Sequence, residues 1–498
     1  MLTSPWFVLF LLGLEVLYYS LPGRVQWKLL LGASLAFYLW MGPEYLGFLL
    51  LTTVTTWLEA VRMDRNLRDL PPGKRREARG RNNGILRTYL LVNGFMLLLC
   101  KACLVRPFSA LVEGGRLSFL TLGLPLGLSF YLFQSVGYVL DVYYGRGRAE
   151  ASLPRVALFV SYFPQLIQGP VSRFSQLGEQ LYREHPFNGK QVSFGIQRML
   201  WGYFKKLVIA DRVAPAVAVL RGPEGVGAGF GLLTLLYALQ LYADFTGGID
   251  IVLGLSQTLG IRLAENFRRP FFSKNTAEYW RRWHMTLGEW MKDYIFYPVS
   301  VSKPMLKLSK AARLRWGAFG KRLPLYLASG VTWLATGLWH GLTPNFVLWG
   351  MLNWGIITIS SELEPLYAWF HSRFPWKEKH WYGFFEIGRM FLLMNLIRVC
   401  DLFPSPAEYF RRIGSLFSRA SAIAELGLAP LDWGILGTGT AMMLLVSIFQ
   451  ERRGSLREWF WVRPRLRQVL MFALFLAVVF MGRYGVGYDA SSFIYNQF

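Results

Sequence analysis

The segment from Val331 to Gly350 constrains the fold of this chain most, because it is long and apolar enough to cross a bilayer. It contains no acidic or basic residue, and its one group that titrates near neutral pH is His340. Ionisable groups at membrane depth are rare, and they face protein or water-filled cavities where they occur. We therefore interpret His340 as a candidate functional residue, because a neutral imidazole is suited to proton transfer.

The composition predicts a membrane protein with many spans. Of its 498 residues, 53% are hydrophobic and only 17% are charged. A window of about twenty residues predicts roughly eleven to thirteen membrane segments. These lie near 5–21, 28–41, 44–60, 86–104, 117–143, 154–170, 192–219, 229–258, 323–341, 343–361, 384–402, 432–449 and 469–484. Polar residues and prolines interrupt the region 160–300, which predicts re-entrant or half-spanning pieces surrounded by protein.

The positive charge of the chain lies in short loops between the apolar segments. The formal net charge is +24, and cytoplasmic loops of membrane proteins carry such an excess of Lys and Arg. Two loops are strongly basic, with Arg62, Arg65, Arg68, Lys74, Arg75, Arg76, Arg79, Arg81 and Arg87 in the first and Arg452, Arg453, Arg457, Arg463, Arg465 and Arg467 in the second. Counting spans from these loops predicts that both termini lie outside. Such loops do not suggest the grooves or stacking platforms of nucleic-acid sites, so no nucleic-acid partner is predicted.

A third basic segment runs from Lys303 to Arg322 without an acidic residue. Its apolar residues would let it lie along the inner leaflet, anchored by lipid headgroups. The alternative is docking of an acidic carrier protein or a nucleotide-bearing donor. Under either interpretation the binding residues are Lys303, Lys307, Lys310 and Arg313.

A second histidine, His284, stands among tryptophans. A helix over this segment would place Trp280, Trp283, His284 and Trp290 on one aromatic face. Such a helix is typical of a membrane interface, but it would also suit the entry to a cavity whose far wall carries His340. Burial would keep either imidazole neutral and available as a base.

Two carboxylates, Asp244 and Asp250, lie within another apolar run and need partners there. One interpretation is an internal ion-pair network with the charged residues near 205–212. The other is a carboxylate that orients a histidine or a substrate hydroxyl. The sequence shows no zinc-binding helix, P-loop or cluster of metal ligands, so no metal is predicted. These observations leave open an enzyme with a single-histidine mechanism and a transporter that uses a histidine as a proton relay.

Four stretches resemble the membrane-bound O-acyltransferase superfamily, in particular its bacterial branch of alginate O-acetyltransferases and D-alanyl transferases of teichoic acid. They are Gly337-Leu-Trp-His-Gly341 with Asn345-Phe346 and Trp349-Gly350, Trp280 to Pro298, Phe163 to Pro170, and Tyr242 to Asp250. The resemblance is strongest over about 125–360, and the ending from Gly487 to Phe498 is similar as well. Pro344 and the residues after Pro298 depart from the pattern, which leaves the substrate open.

The resemblance implies an all-α bundle of membrane helices around a central tunnel. It would form one domain over 1–498, with N-terminal spans (1–120), a catalytic core (121–360) and C-terminal spans (361–498). His340 would be the general base and His284 a second catalytic residue. Substrate-binding or orienting roles would fall to Gln240, Asp244, Trp290, Asp293, Tyr294, Trp339 and Asn345.

The implied reaction moves an acyl group from a cytoplasmic thioester, acetyl-CoA or an acyl-carrier protein, to a hydroxyl of a cell-surface or secreted glycan. No tightly bound cofactor is expected. The expected partners are the lipid bilayer, the glycan acceptor, and either an extracytoplasmic acetyltransferase or a cytoplasmic carrier protein. The expected location is the bacterial cytoplasmic membrane. D-alanyl transfer and non-catalytic transport of a lipid or glycan are the alternatives.

Overall fold

A computed structural model of the chain describes residues 2–68, 75–104, 109–110, 115, 118–121, 124–223, 225–417 and 426–484. Lys74 of the first basic loop and the ending over 487–498 lie outside these residues. Within the described ranges every regular element is helical and no strand occurs. The predicted all-α class is therefore confirmed.

The α-helices are numbered here in chain order. The first eleven are α1 (Pro5–Ser20), α2 (Gly23–Met41), α3 (Leu46–Arg68), α4 (Arg75–Ala102), α5 (Leu128–Tyr144), α6 (Leu153–Ser161), α7 (Phe163–Gln168), α8 (Phe174–Tyr182), α9 (Gly189–Tyr203), α10 (Asp211–Arg221) and α11 (Ala228–Thr258). The others are α12 (Thr276–Arg282), α13 (Met285–Met291), α14 (Tyr297–Ser300), α15 (Lys303–His340), α16 (Pro344–Glu362), α17 (Glu364–Arg373), α18 (His380–Arg398), α19 (Pro406–Ser415), α20 (Pro430–Arg453), α21 (Leu456–Trp461) and α22 (Pro464–Met481). Two π-helices, Phe204–Ala210 and Lys292–Phe296, interrupt this order.

Five of the described helices are long and apolar enough to cross a membrane, or six if the bent pair α16 and α17 forms one span. The five are Pro43–Arg68, Gly80–Ala102, Ala228–Thr258, Pro430–Arg453 and Pro464–Met481. The larger number predicted from the sequence is not confirmed. Several predicted segments fold as shorter helices: α1 has 16 residues, and the segment near 154–170 is divided between α6 and α7.

The chain folds into two compact units. The first comprises Met1–Met199 and Ile249–Ala264, and the second comprises Leu200–Gly248 and Glu265–Phe498. Helices α9 and α11 each contribute residues to both. The assignment of the whole chain to one domain stays a prediction.

The first unit has a buried polar core where prolines and polar residues interrupt the helices. Every residue from 161 to 170 is buried. Gln134 donates to Gln165 at 2.8 Å, and the Gln165 amide donates in turn to the Pro170 carbonyl at 3.1 Å. These bonds replace some of the water that the polar groups lose on burial. The short helices α6 and α7 are thus held by protein, as the sequence predicts for interrupted segments.

In the second unit, glycines let α15 and α16 approach closely. A Cβ atom added to Gly337 would lie 2.4 Å from the Phe346 carbonyl oxygen, and one added to Gly350 would lie 2.5 Å from that of Trp333. Small residues permit such close helix contacts in membrane proteins, where packing drives association. Because α15 ends at His340, this contact fixes the position of the histidine relative to α16.

We expect Gly350→Ala to destabilise the protein, because the new methyl group would press on the backbone of α15. Overpacking of this kind costs about 1–3 kcal/mol. Gly355→Ala, on the same helix, is the matched control, since nothing lies within 4 Å of its added Cβ. Thermal unfolding of both purified variants in detergent measures the difference. Equal melting temperatures would show that the close contact is not required.

Candidate active site

His340 is the last residue of α15, and aromatic rings surround its imidazole. Its ring centroid lies 4.6 Å from Trp339 and 4.9 Å from Trp349, and it stacks on Phe346 at 6.1 Å. The side chain is half-buried in the described protein. The imidazole therefore lies in largely aromatic surroundings.

The turn after His340 is anchored to a distant segment. Asn345, in the first turn of α16, donates through its amide to the carbonyl oxygens of Cys400, at 3.1 Å, and of Phe403. Cys400 Sγ donates to the Asn345 carbonyl oxygen at 3.3 Å. The observed contacts of Asn345 therefore brace the turn, and its substrate-binding role stays a prediction.

His284 does not continue a helix, so the prediction of one helical aromatic face is wrong. Helix α12 ends at Arg282, and His284 has φ 46° and ψ 51°, in the left-handed region. That conformation is uncommon for a residue with a side chain and costs about 1–3 kcal/mol. It makes His284 the N-cap of α13, so that α13 does not continue in the direction of α12.

Asn266 explains why the chain breaks at this point. Its Oδ1 accepts hydrogen bonds from the Thr286 backbone N–H at 3.1 Å and from the Thr286 hydroxyl at 2.9 Å. The first of these bonds caps α13 from outside the helix. His284 Nδ1 lies 3.1 Å from the same oxygen.

This arrangement assigns the hydrogen on the imidazole. The Thr286 N–H can only donate, so the Asn266 atom that faces it is the amide oxygen. A hydrogen bond from His284 to that oxygen requires the proton on Nδ1. In the neutral ring, Nε2 is then the nitrogen with the lone pair.

His284 is neutral at physiological pH. The side chain is only 5% exposed, between Phe245 at 5.0 Å and Phe267 at 6.3 Å. Burial, together with the positive charge of Arg398, lowers the pKa of His284 to about 3. At neutral pH its imidazole can therefore accept a hydrogen bond or a proton at Nε2.

The indole of Trp339 contacts both imidazoles. Its ring centroid lies 4.6 Å from that of His340 and 6.4 Å from that of His284. Beside them, Trp280, Trp333 and Trp349 contact one another with centroids 4.7–5.8 Å apart. The structure thus brings the two predicted histidines next to a single tryptophan.

Three further predicted residues lie just after His284. Trp290, in α13, and Tyr294 are buried with ring centroids 5.2 Å apart, and Asp293 is half-buried. Asp293 and Tyr294 belong to the π-helix Lys292–Phe296. Single π-turns occur often at functional sites because they turn side chains out of the regular helical register.

Asp244 belongs to an ion-pair network in the second unit. Lys206 Nζ lies 2.6 Å from Asp244 and 2.8 Å from Asp211. Lys205 donates to Thr246 at 2.8 Å. These contacts favour the ion-pair interpretation of the carboxylate. Gln240, one turn earlier in α11, is half-buried.

The predicted docking residues lie on the N-terminal part of α15, which Gly317 (φ 53°) separates from the apolar part. All four are exposed, and they are Lys303, Lys307, Lys310 and Arg313. Leu306 and Leu314 are exposed on the same stretch. Such a mixture of cations and apolar side chains suits a membrane surface as well as an acidic protein.

Among the described residues, no three His, Cys, Asp or Glu residues form a potential metal site.

Sequence reasoning missed Asn266 and Arg398. Arg398 carries a detectable signal, since it is a cation within the apolar run 384–402. Asn266 lies in a polar loop among charged residues, and only the three-dimensional structure shows that it caps α13.

Comparison with known proteins identifies the family of this chain. The pattern of the MBOAT family, the membrane-bound O-acyltransferase family, matches residues 148–400. The chain belongs to this family. The match includes both histidines, Asn266 and Arg398.

Several bacterial relatives are similar over much of the chain. The Probable alginate O-acetylase AlgI of Azotobacter vinelandii is 33% identical over 363 residues, which are 70% of this chain and 66% of that protein. The peptidoglycan O-acetyltransferase of Helicobacter pylori is 26% identical over 58% of this chain and 61% of its own length. The teichoic acid D-alanyltransferase of Bacillus subtilis is 26% identical over 50% of this chain and 61% of its own length. The matched regions therefore span less than two thirds of these relatives.

We expect Asn266→Ala to destabilise the protein more than Asn275→Ala does. The first change leaves the buried Thr286 N–H and His284 Nδ1–H without their acceptor, at about 1–3 kcal/mol for each buried group. Asn275 caps the exposed start of α12 through Glu278 N, and loss of such a cap costs about 1 kcal/mol. Thermal unfolding of both variants tests the ranking. A larger loss for Asn275→Ala would contradict the role assigned to Asn266.

Proposed function

We propose that this protein is a membrane O-acyltransferase that moves an acetyl group from a cytoplasmic thioester to a hydroxyl of a cell-surface or secreted polysaccharide. The observation that carries the proposal is the shared contact of His284 and His340 with Trp339. Two imidazoles at one indole, both in aromatic surroundings, supply basic nitrogens where water is sparse.

In the proposed reaction, His340 is the general base. As the acceptor hydroxyl oxygen attacks the thioester carbonyl carbon, its proton passes to the imidazole. A C–O bond forms, the C–S bond breaks, and the imidazolium returns the proton to the departing thiolate. General base catalysis of this kind contributes about a hundredfold to ten-thousandfold in rate.

His284 is proposed to act through its Nε2 lone pair on the same reaction, either on the acceptor or on the thiol side. Trp290, Asp293 and Tyr294 would orient the substrate, together with Trp339. The enclosing tunnel that the family resemblance implies would exclude water, which otherwise hydrolyses the thioester. The acyl donor is a co-substrate, acetyl-CoA or a carrier-bound thioester, and no resident cofactor is required.

Ion pairs near His284 support a cytoplasmic donor. Glu451, near the end of α20, accepts from Arg282 at 3.0 Å and from Arg269. Arg452 and Arg453 follow, and such basic helix ends lie in the cytoplasm. The segment before His284 would therefore lie near the inner face of the cytoplasmic membrane. Both termini would lie outside, where a glycan acceptor and a partner acetyltransferase would receive the acyl group.

We expect His340→Ala to lower acetyl transfer by about a hundredfold or more, because the general base is lost. His380→Ala is the control, since that histidine is exposed at the start of α18. Base-labile esters on surface polymers are measured in cells that lack the protein and in cells restored with each variant. Chromatography separates acetate from D-alanine, and the amount of each variant in the membrane is measured in parallel.

Normal ester with His340→Ala would overturn the proposed role of the histidine. If no ester depends on the intact protein, then transfer to surface glycans is wrong and transport becomes the better hypothesis. Loss of His340→Ala from the membrane would indicate that the residue serves folding.

The exposed cations of α15 favour one second candidate, D-alanyl transfer to teichoic acid from an acidic carrier protein. If it is correct, changing Lys303, Lys307, Lys310 and Arg313 to Glu will abolish D-alanyl ester in cells, because the variant repels the carrier. Unchanged D-alanyl ester in that variant would contradict carrier docking at this surface.

A further inference from the structure

Arg398 is a buried cation next to His284. It ends α18, where the helix dipole favours a positive charge, and only 9% of the residue is exposed. The centre of its guanidinium lies 4.3 Å from the ring centroid of Trp283. Because Trp283 directly precedes His284, the stacked guanidinium lies beside the backbone that carries the imidazole.

The aromatic rings around this cation connect it to the rest of the site. Trp283 stacks on Tyr279 at 5.8 Å with nearly parallel planes. Phe245 contacts both Trp283, at 6.2 Å, and His284, at 5.0 Å. Any movement of Trp283 would therefore displace the His284 ring.

Other charged and titratable groups face Arg398. Asp401, three residues later, interacts electrostatically with it and accepts a hydrogen bond from Tyr237. Arg221 also acts on Asp401, and Arg398 acts on Tyr279 as well as on His284. Four uncharged side chains from other elements also pack on His284, and they are Phe245, Asn266, Phe267 and Trp339.

We propose that Arg398 is a positioning residue for the acyl transfer, which fixes Trp283 by stacking and places a permanent positive charge beside His284. The proposal rests on the function proposed above. It assigns a role to a residue outside the two histidine motifs, on a helix that neither motif includes.

Arginine suits both parts of this role. Its guanidinium is planar and stays protonated in proteins, so it can stack on an indole and remain a cation. A lysine would retain the charge, but it would lose the stacked plane. A glutamine would lose the positive charge that, together with burial, lowers the pKa of His284.

The sign of the pH effect follows from these charges. Burial and Arg398 both lower the pKa of His284, so removing Arg398 must raise it. As the pH drops, His284 would then become protonated in the variant at pH values at which it is still neutral in the wild type.

The test compares Arg398→Gln, Arg398→Lys and the control Arg389→Gln, an exposed arginine on the same helix. Transfer from acetyl-CoA to a polysaccharide acceptor is measured in membranes from about pH 3 to about pH 9, so that the range includes the low pKa of His284. We expect the acidic limb of Arg398→Gln to move up by about one pH unit or more. Arg398→Lys should have its acidic limb at the same pH as the wild type but a lower rate of transfer. Arg389→Gln should behave as the wild type.

A second measurement titrates His284 without any assay of transfer. Deuterium exchange at the imidazole C2 position, read by mass spectrometry of the peptide that contains His284, gives its titration midpoint in the purified protein. The midpoint should be higher in Arg398→Gln than in the wild type.

Equal midpoints in the wild type and Arg398→Gln would overturn the proposal, as would a loss of rate by the same factor at every pH. If the midpoint shifts but no membrane transfers acetyl, then the charge effect on His284 is supported, while the acetyl transfer and the role of Arg398 in it are wrong.

Discussion

The close contact between α15 and α16 is the constraint on which the site depends. Gly337 and Gly350 let the two helices meet with backbone atoms in contact, and the turn between them presents Trp339 and His340. The same indole also lies next to His284. A larger side chain at either glycine would separate the helices and move one imidazole away from the other.

Electrostatic interactions and packing both act on His284. His284 is held neutral by burial and by a neighbouring cation, and Asn266 fixes its hydrogen on Nδ1. Asp244 of α11 forms a buried ion pair with Lys206, which also pairs with the Asp211 carboxylate. Removing one member of such a pair costs about 3–5 kcal/mol, because a buried charge is left behind. The two histidines thus lie in apolar aromatic surroundings, while Asp244 belongs to an ion-pair network.

The sequence predicts the helical class, the approximate helix positions and the importance of His340, because apolar length and a lone titratable group are local signals. It does not predict the conformation of His284. Helical spacing of Trp280, Trp283 and Trp290 favours one continuous helix, and the break arises from Asn266, which comes from an earlier loop. The contact of Arg398 is not predicted for a similar reason, since its partner Trp283 lies far away in the sequence. The count of eleven to thirteen membrane segments stays a prediction, and the apolar run 154–170 shows how one such segment can fold as two short helices.

The central claim is that His284 and His340 act on one reaction, and a double-mutant cycle tests it most directly. Acetyl transfer from acetyl-CoA would be measured in membranes that contain the wild type, His284→Ala, His340→Ala or the double variant at equal amounts. Residues that act as a unit give strongly non-additive losses. The account predicts that the double variant loses about as much activity as the more impaired single variant. Losses that multiply in the double variant would contradict it, because they would show two independent contributions.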